Sequence, residues 1–304
     1  MSVRLGLTTS TRQRVTPEPE VVMVGCMTDE NADLEVNRQL WDRLTEVHTT
    51  GESAYYDIDG LLAGRSSLTS IVRSEVGPVG GLDLLHLQCH FGLDTLSFAR
   101  EGARVTGVDF SPAAVEFARG LASRAGLAAT FVQADAQELP EELDGRFDLV
   151  FASYGSLCWI ASLDAWFGGA ARVLRPGGRL VVVEVHPLML MVDAVAPVAF
   201  GTAYLGGAAQ VDQWEGTYAG GDVPISQPSV GYPHGLGEIV TAAVRAGLAV
   251  DDLTEYLRDE QEHRSGVLVR DPDGWYRLPI GGQDLPVTYS LRATKPGLGQ
   301  RVRL

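Results

Sequence analysis

Residues suited to hold a nucleotide follow two apolar segments in the first half of the chain. A strand is predicted at 83–89, and it leads into a turn at His90–Gly92. A second predicted strand ends at Asp109, twenty positions after Cys89. In a βαβ unit the turn lies against the ligand, and the later carboxylate accepts hydrogen bonds from ribose hydroxyls. The spacing therefore predicts an adenosine-binding site.

The turn lacks the glycine pattern of a dinucleotide site. Gln88 and His90 stand where glycines would let a pyrophosphate approach the backbone. Their side chains favour a ligand that has no phosphates and contacts the turn through an amino-acid portion. Phe110 is placed to lie against an adenine face, and Asp135 is placed to accept a hydrogen bond from the exocyclic amine. The alternative for each carboxylate is a solvated or helix-capping role.

A metal site at the turn is not predicted. His86 and Cys89 are three positions apart on a predicted strand, so their side chains point to opposite faces. Convergence of these two residues with His90 on one metal ion is therefore geometrically awkward.

Composition excludes several classes of protein. The chain has 304 residues, of which 45% are hydrophobic and 21% charged, as in a globular protein without membrane spans. Its first residues lack the apolar core of a signal peptide, and its three cysteines form no CxxC pair, so we expect a cytoplasmic location. The net charge of −15 argues against nucleic acid as a partner. The single lysine, Lys295, precedes a proline, which excludes a phosphate-binding GK[ST] loop.

The hydrophobic pattern predicts an α/β fold with a doubly wound, mostly parallel sheet. Strands and helices alternate along the chain, with short connections between them. After a long irregular stretch the regular pattern returns near residue 236. The predicted strands are 83–89, 104–109, 129–134, 147–153, 179–186, 249–257 and Val287–Thr294, and the predicted helices are 93–101, 112–125, 162–174 and 236–246.

The same pattern divides the chain into regions. We expect a loose N-terminal extension at 1–30, a helical lid at 31–78 and a cofactor-binding core at 79–186. An inserted substrate cap follows at 187–234. The C-terminal part of the core sheet then occupies 235–304, with a second insertion at 258–286.

These segments resemble class I S-adenosylmethionine-dependent methyltransferases over roughly 80–190 and again over 235–295. The segment 84–92, LLHLQCHFG, is similar to that family's first motif, VLDLGCGxG, and 108–111 and 134–136 are similar to its ribose and adenine motifs. The segment 175–180, RPGGRL, resembles the turn before the fifth strand. The variant HLQCHFG resembles a bacterial subgroup that acts on small molecules. His86 departs from the acidic residue of the first motif, so Gln88 or a backbone carbonyl becomes the alternative contact for the cofactor's amino group.

The resemblance implies S-adenosyl-L-methionine as cofactor and an antiparallel last strand. It also implies a small-molecule acceptor, with no nucleic acid and no membrane as partner, and leaves a homo-oligomer open. The irregular cap favours an apolar or aromatic acceptor with an O or N nucleophile. The implied cofactor-binding residues are Tyr55, Gln88, Cys89, His90, Gly92, Asp109, Phe110, Asp135, Ala136 and Ser153.

Two histidines are the predicted catalytic bases. His186 ends the fifth predicted strand, and His234 precedes a predicted helix that faces the same edge of the sheet. A structural role is the alternative for each. Two other functions stay open at this point: an NAD(P)-dependent oxidoreductase on a Rossmann sheet, and a non-methylating cyclase or binding protein that retains the cofactor.

Overall fold

The computed structural model describes residues 30–50, 55–193, 199–200, 203–219, 224–263 and 266–297. The predicted extension at 1–30 lies outside these residues except for its last one. Within the described ranges the helices are α1 (Glu30–His48), α2 (Ile58–Leu62), α3 (Ser70–Val76), α4 (Leu93–Arg100), α5 (Pro112–Ala125), α6 (Leu163–Val173), α7 (Pro187–Met191) and α8 (Leu236–Arg245). The strands are β1 (Asp83–Leu87), β2 (Arg104–Asp109), β3 (Ala129–Gln133), β4 (Phe147–Ser153), β5 (Leu174–Val185), β6 (Val192–Asp193), β7 (Ala199–Phe200), β8 (Gln210–Glu215), β9 (Ser226–Gly231), β10 (Ala249–Tyr256), β11 (Arg258–Asp259), β12 (Val269–Arg270), β13 (Tyr276–Ile280), β14 (Gln283–Leu285) and β15 (Thr288–Thr294).

A seven-stranded sheet forms the centre of the molecule, in the order β10-β15-β5-β4-β1-β2-β3. The strands from β5 to β3 in this order are parallel, whereas β15 is antiparallel to both β5 and β10. This arrangement confirms the predicted α/β fold with a mostly parallel, doubly wound sheet and an antiparallel last strand.

Alternating apolar side chains bury both faces of the sheet. Leu85 and Val182 face a cluster that includes Trp166 of α6 and Ile239 of α8. Their neighbours in sequence face the opposite cluster, which includes residues of α3 and α4. A sheet that is covered on both faces needs strands without a polar side. For this reason the strands stand out in the sequence as nearly continuous apolar runs.

Two boundaries differ from the prediction for local reasons. β1 ends at Leu87 and not at residue 89, because Gln88 takes a left-handed backbone conformation with φ of 53°. β5 begins at Leu174 and not at 179, because Leu174 pairs with Phe147 before an irregularity in the register. The segment Arg175–Gly178 therefore lies inside the strand.

Small antiparallel sheets occupy the two regions expected to be irregular. In 187–234, β8 pairs with β9 and the short β6 pairs with β7. In 258–286, β13 pairs with β11, β12 and β14. No helix among the described residues is long and apolar enough to cross a membrane.

Helix α1 is fixed between the core and the β8–β9 hairpin. Asn37 donates to the Val230 carbonyl at 2.8 Å and accepts from the Val230 amide at 2.9 Å. On the other side, the Ser111 hydroxyl at the start of α5 donates to Asp42 at 2.6 Å. These contacts close α1 over the ends of the parallel strands.

Candidate functional site

A cavity of about 430 Å³ lies at the carboxyl ends of β1 to β4, beneath α1 and the β8–β9 hairpin. Open α/β sheets bind ligands at this edge, and this volume is in the range of small-molecule sites. All ten predicted cofactor residues line the cavity: Tyr55, Gln88, Cys89, His90, Gly92, Asp109, Phe110, Asp135, Ala136 and Ser153. The structure thus brings together residues that are up to 98 positions apart in sequence, from 55 to 153.

The turn after β1 keeps a glycine-like backbone with two residues that are not glycine. Gln88 and His90 have φ of 53° and 49°, and Gly92, which precedes α4, has φ of 82°. A Cβ atom on Gly92 would lie 2.7 Å from the Phe131 ring, so glycine is required there by space as well as by φ. The Gln88 amide donates to the Ser156 carbonyl at 2.8 Å and accepts from the Trp166 indole at 3.0 Å. Gln88 therefore fixes the turn, and its amide is already paired at both ends.

Asp109 ends β2 with its carboxylate held by backbone amides. Oδ2 accepts from the His90 N–H at 2.7 Å, and Oδ1 accepts from the Ser111 N–H at 2.9 Å. Burial raises the pKa of Asp109 to about 6, and the two backbone hydrogen bonds oppose part of that shift. Each oxygen keeps a second lone pair, so the group can accept two further hydrogen bonds from a bound diol.

Asp135 lies two residues beyond β3 on the same wall. Its Oδ1 accepts from the Gln137 N–H at 2.9 Å, and burial raises the pKa of this carboxyl. Phe110 and Ala136 line the cavity beside these two carboxylates. This end of the cavity therefore offers two acceptors and one aromatic ring.

A third acid in the cavity, Asp94, was missed by sequence reasoning. It lies in the first turn of α4 and accepts from the Ser67 hydroxyl at 2.5 Å; Ser153 is its second hydroxyl partner. Burial raises the pKa of Asp94. His86, which stands where the first motif has an acid, pairs its Nδ1 with the Thr95 hydroxyl at 2.8 Å. Burial lowers the pKa of His86 to about 3, so its imidazole is uncharged at neutral pH.

Aromatic side chains form a further part of the cavity wall. Trp41 of α1 lies edge-on to His90 at 5.2 Å and to Trp159 at 5.6 Å, and Trp159 is 5.8 Å from Trp214 of β8. Tyr56 and Tyr218 share a hydrogen bond of 2.6 Å between their hydroxyls. In the sequence, the helical spacing of Trp41 gives no sign that its ring faces a cavity.

A pair of histidines, His48 and His90, joins α1 to the turn. His48 Nδ1 is 3.0 Å from His90 Nε2, and His48 Nε2 is 2.9 Å from the Thr217 hydroxyl. Burial lowers the pKa of His48 to about 4 and also lowers the pKa of His90. The pair is therefore neutral and connects α1 to the turn.

The two predicted bases, His186 and His234, lie outside the lining of this cavity. His186 caps α7: its Nδ1 accepts from the Leu188 N–H at 3.1 Å, so Nε2 carries the proton and donates to Glu255 at 2.9 Å. His234 donates from Nε2 to the Ile160 carbonyl at 2.6 Å. Both imidazoles are buried and make these hydrogen bonds, neither lines the cavity, and their catalytic role stays a prediction.

The second insertion contributes Gln261 and His263 to the cavity instead. Tyr55 donates to the Gln261 side chain at 3.1 Å, which connects the insertion to the start of the core. Both residues lie in the stretch 258–286, where the sequence showed no periodicity and therefore no sign of which side chains turn inward.

No lysine or arginine lines the cavity among the residues that the structure describes, whereas Asp57, Asp94, Asp109 and Asp135 all do. Within the same described residues, no group of three His, Cys, Asp or Glu side chains is close enough to hold a metal ion. Among the described residues the site therefore combines carboxylates with aromatic rings and has no fixed positive charge.

The sheet order, the antiparallel last strand and the cavity at the strand ends define the fold of class I S-adenosylmethionine-dependent methyltransferases. Residues 84–178 match the family described as "Methyltransferase domain". That segment holds β1 to β4 and most of the cavity-lining turns.

Relatives support this assignment over parts of their length. A demethylmenaquinone methyltransferase of Thermus thermophilus is 44% identical over 86 residues, which are 28% of this chain and 38% of that protein. A demethylmenaquinone methyltransferase of Clavibacter sepedonicus is 34% identical over 156 residues, 48% of this chain and 62% of that protein. The chain thus spans less than two thirds of the curated relatives it matches. An S-adenosylmethionine-dependent methyltransferase structure from Mesorhizobium loti superposes with a TM-score of 0.51 at 20% identity, covering 77% of this chain and 99% of that one.

Proposed function

We propose that this protein transfers a methyl group from S-adenosylmethionine to an uncharged, aromatic or apolar small molecule. The observation that carries the proposal is a cavity lined by Asp94, Asp109 and Asp135, with no lysine or arginine among the described lining residues to balance these carboxylates. A buried charge is stable only when it is paired, and a cationic ligand supplies the missing partner.

The charge of the cavity separates this proposal from a nicotinamide-dependent oxidoreductase. A pyrophosphate would bring two negative charges next to Asp94 and Asp109, with no arginine or lysine among the described lining residues to hold it. S-adenosylmethionine has a positive sulfonium, a positive ammonium and a negative carboxylate, so its net positive charge suits a cavity lined by carboxylates. The donor and acceptor groups present therefore suit this cofactor.

Each carboxylate has a distinct partner in the proposal. Asp109 accepts from the ribose hydroxyls, with its remaining lone pairs oriented by the His90 and Ser111 amides. Asp135 accepts from the adenine amine. Asp94 takes the ammonium group, which is the role of the first motif's acid in the family; in this chain His86 replaces that acid.

The protein's task in methyl transfer is alignment and exclusion of water. When bound, S-adenosylmethionine supplies an electrophilic methyl group on sulfur. The turn at 88–92 and Ser153 position its amino-acid end, while α1 and the β8–β9 hairpin cover the cavity. Holding donor and acceptor in line in a closed site supplies much of the rate enhancement in a displacement of this kind.

The aromatic side chains of the cavity wall determine the class of acceptor that we propose. Trp41, Trp159 and Trp214 lie side by side in this wall, and no lysine or arginine among the described lining residues would pair with an anionic substituent. Flat apolar surfaces of this type favour a planar ring over a flexible charged chain. The relatives named demethylmenaquinone methyltransferases are likewise named for a small-molecule acceptor.

Calorimetry with three ligands tests the cofactor assignment. We expect S-adenosylhomocysteine to bind and NAD to show no binding. Methylthioadenosine keeps the adenosine and the sulfur but lacks the amino-acid end. Asp94→Asn should therefore weaken S-adenosylhomocysteine by about 10- to 100-fold, the value of a hydrogen bond to a charged group, and leave methylthioadenosine unchanged.

A matched control uses Asp212→Asn, which makes the same chemical change on an exposed position of β8. For the acceptor, naphthol and its carboxylated analogue hydroxynaphthoate are compared with radiolabelled S-adenosylmethionine, and naphthol should be methylated faster. Binding of NAD, or faster methylation of the carboxylated probe, would contradict the proposal.

A further inference from the structure

A histidine and an aspartate of the second insertion form a pair at the edge of the cavity. His263 lines the cavity together with Ser153, and its side chain is only 2% exposed. Its ring stacks on Tyr154, the residue that follows Ser153, with 4.5 Å between ring centroids and 26° between planes. His263 therefore lies next to the carboxyl end of β4, close to the residues proposed to hold the reacting end of the cofactor.

Asp259 is placed to orient this imidazole. Its side chain is fully buried, and Oδ2 lies 3.2 Å from His263 Nε2. The carboxylate is itself fixed, because Oδ2 accepts from the Thr288 hydroxyl at 2.5 Å and Oδ1 accepts from the Gln261 N–H at 2.9 Å. Burial opposes ionisation, yet His263 and these hydrogen bonds lower the pKa of Asp259, so it is a carboxylate at neutral pH.

The two nitrogens of His263 have different surroundings. Nε2 is completely buried and has no well-aligned hydrogen bond, although the Asp259 carboxylate lies within ion-pair distance. A carboxylate beside Nε2 favours the tautomer with the proton on that nitrogen. Nδ1 has no hydrogen bond to any described residue and keeps its lone pair. Contacts of this kind are often loose before a ligand is bound and tighten in the complex.

We infer that His263, oriented by Asp259, is the base that removes the proton from a hydroxyl acceptor, so that this protein methylates oxygen. The inference rests on the proposed function and assigns its nucleophile. The hydroxyl proton moves to Nδ1 and the imidazolium is stabilised by Asp259. The acceptor oxygen bonds to the methyl carbon as the carbon–sulfur bond breaks, and sulfur keeps that electron pair. The result is a methyl ether, S-adenosylhomocysteine and a protonated His263, which returns its proton to water.

His90, another of the three histidines that line the cavity, is less suited to this role. His90 Nε2 pairs with His48, and the second nitrogen of His48 pairs with the Thr217 hydroxyl. Among the described residues, the ring nitrogens of this pair bond to each other and to a hydroxyl, and to no carboxylate that would stabilise an imidazolium. The pair therefore serves to hold the turn to α1.

Nitrogen NMR of the S-adenosylhomocysteine complex tests the geometry without an acceptor. With labelled histidine, the His263 ring should show the proton on Nε2 and a bare Nδ1. The chain has six histidines, so the signals are assigned by their loss in His263→Asn. In Asp259→Asn the preference for a proton on Nε2 should weaken toward that of a free histidine side chain, whereas Asp273→Asn, at an exposed carboxylate of the same insertion, should leave it unchanged. A proton on Nδ1 in the complex would overturn the inference.

Turnover with two matched probes tests the chemistry. His263→Asn should lower methylation of naphthol by about 100- to 10,000-fold, the usual contribution of a positioned base, and leave methylation of naphthylamine within a few fold, because a neutral amine attacks without prior loss of a proton. Unchanged S-adenosylhomocysteine affinity in the variant shows that it is folded. Equal loss on both probes, or no loss on naphthol, overturns the role of His263 while the proposed function stands. If the wild type methylates neither probe, the acceptor class is wrong and the inference falls with it.

Discussion

Asp109 makes cofactor affinity depend on pH in a way that can be calculated from the site. Burial raises the pKa of Asp109 to about 6 in the absence of ligand, while the proposed ribose contacts need the ionised group. Affinity should therefore be constant near neutral pH and fall as the pH drops through about 6. If the protonated form does not bind, the dissociation constant rises about tenfold between about pH 7 and about pH 5, which corresponds to roughly 1.4 kcal/mol.

Calorimetry with methylthioadenosine isolates this effect. The ligand has no ammonium, so Asp94 does not contribute, and Asp135→Asn removes the one other titrating group on the adenosine wall. Asp109→Asn should weaken binding by about 1.5–3 kcal/mol and remove the pH dependence. The amide also fits the turn poorly, because both native oxygens accept from backbone N–H groups and an asparagine offers one acceptor only.

The exposed Asp164 provides the control, since Asp164→Asn makes the same change at the start of α6 on the surface. Wild-type affinity that stays level from about pH 7 to about pH 5 would refute the link between burial of Asp109 and binding. An unchanged dissociation constant in Asp109→Asn would refute its assignment to the ribose.

Three further outcomes follow from named contacts. Gly92→Ala should destabilise the protein by about 2 kcal/mol or more in urea unfolding, because φ is positive and the new Cβ meets Phe131. The control is Gly120→Ala at an exposed position of α5, which should stabilise the protein by about 0.5–1 kcal/mol. Asn37→Ala removes the side chain that pairs with the Val230 amide and carbonyl. Hydrogen exchange at Val230 should therefore accelerate, and S-adenosylhomocysteine should dissociate faster. Unchanged exchange would show that α1 is held by packing alone. Trp214→Ala should lower the affinity for naphthol about tenfold or more and leave S-adenosylhomocysteine binding within twofold, and a loss of both would place this ring in the cofactor site.

The sheet and the adenosine wall were predictable because their signals are local. A strand buried on both faces is a continuous apolar run, and a ligand-binding residue at its carboxyl end is simply the next residue in the chain. Asp109 and Asp135 were predicted in this way, Ser153 was implied by the resemblance to the family, and all three line the cavity. Parallel strand order then brings them together without further information.

The acceptor side was not predictable, because it depends on where inserted segments return to the core. His186 was placed correctly at the end of β5, but its direction was decided by the cap of α7 and by Glu255, which is 69 positions away. His263 reaches the cavity because β11 pairs with β13 and Asp259 bonds to Thr288 at the start of β15. These contacts join distant parts of the sequence and leave no periodic trace in it.

Gln88 and His90 show how a departure from the family's motif becomes a structural device. Each holds a left-handed backbone that costs a residue with a side chain about 1–2 kcal/mol and costs glycine almost nothing. In exchange, the Gln88 amide joins the turn to Ser156 and Trp166, and the His90 ring joins it to His48 and Trp41. The turn is thereby attached to the loop after β4, to α6 and to α1 at once. With glycines at these positions, the backbone of the turn could approach a pyrophosphate. Here the turn is instead fixed beneath α1. This arrangement is consistent with a cofactor that presents positive charge and an amino-acid end at this position.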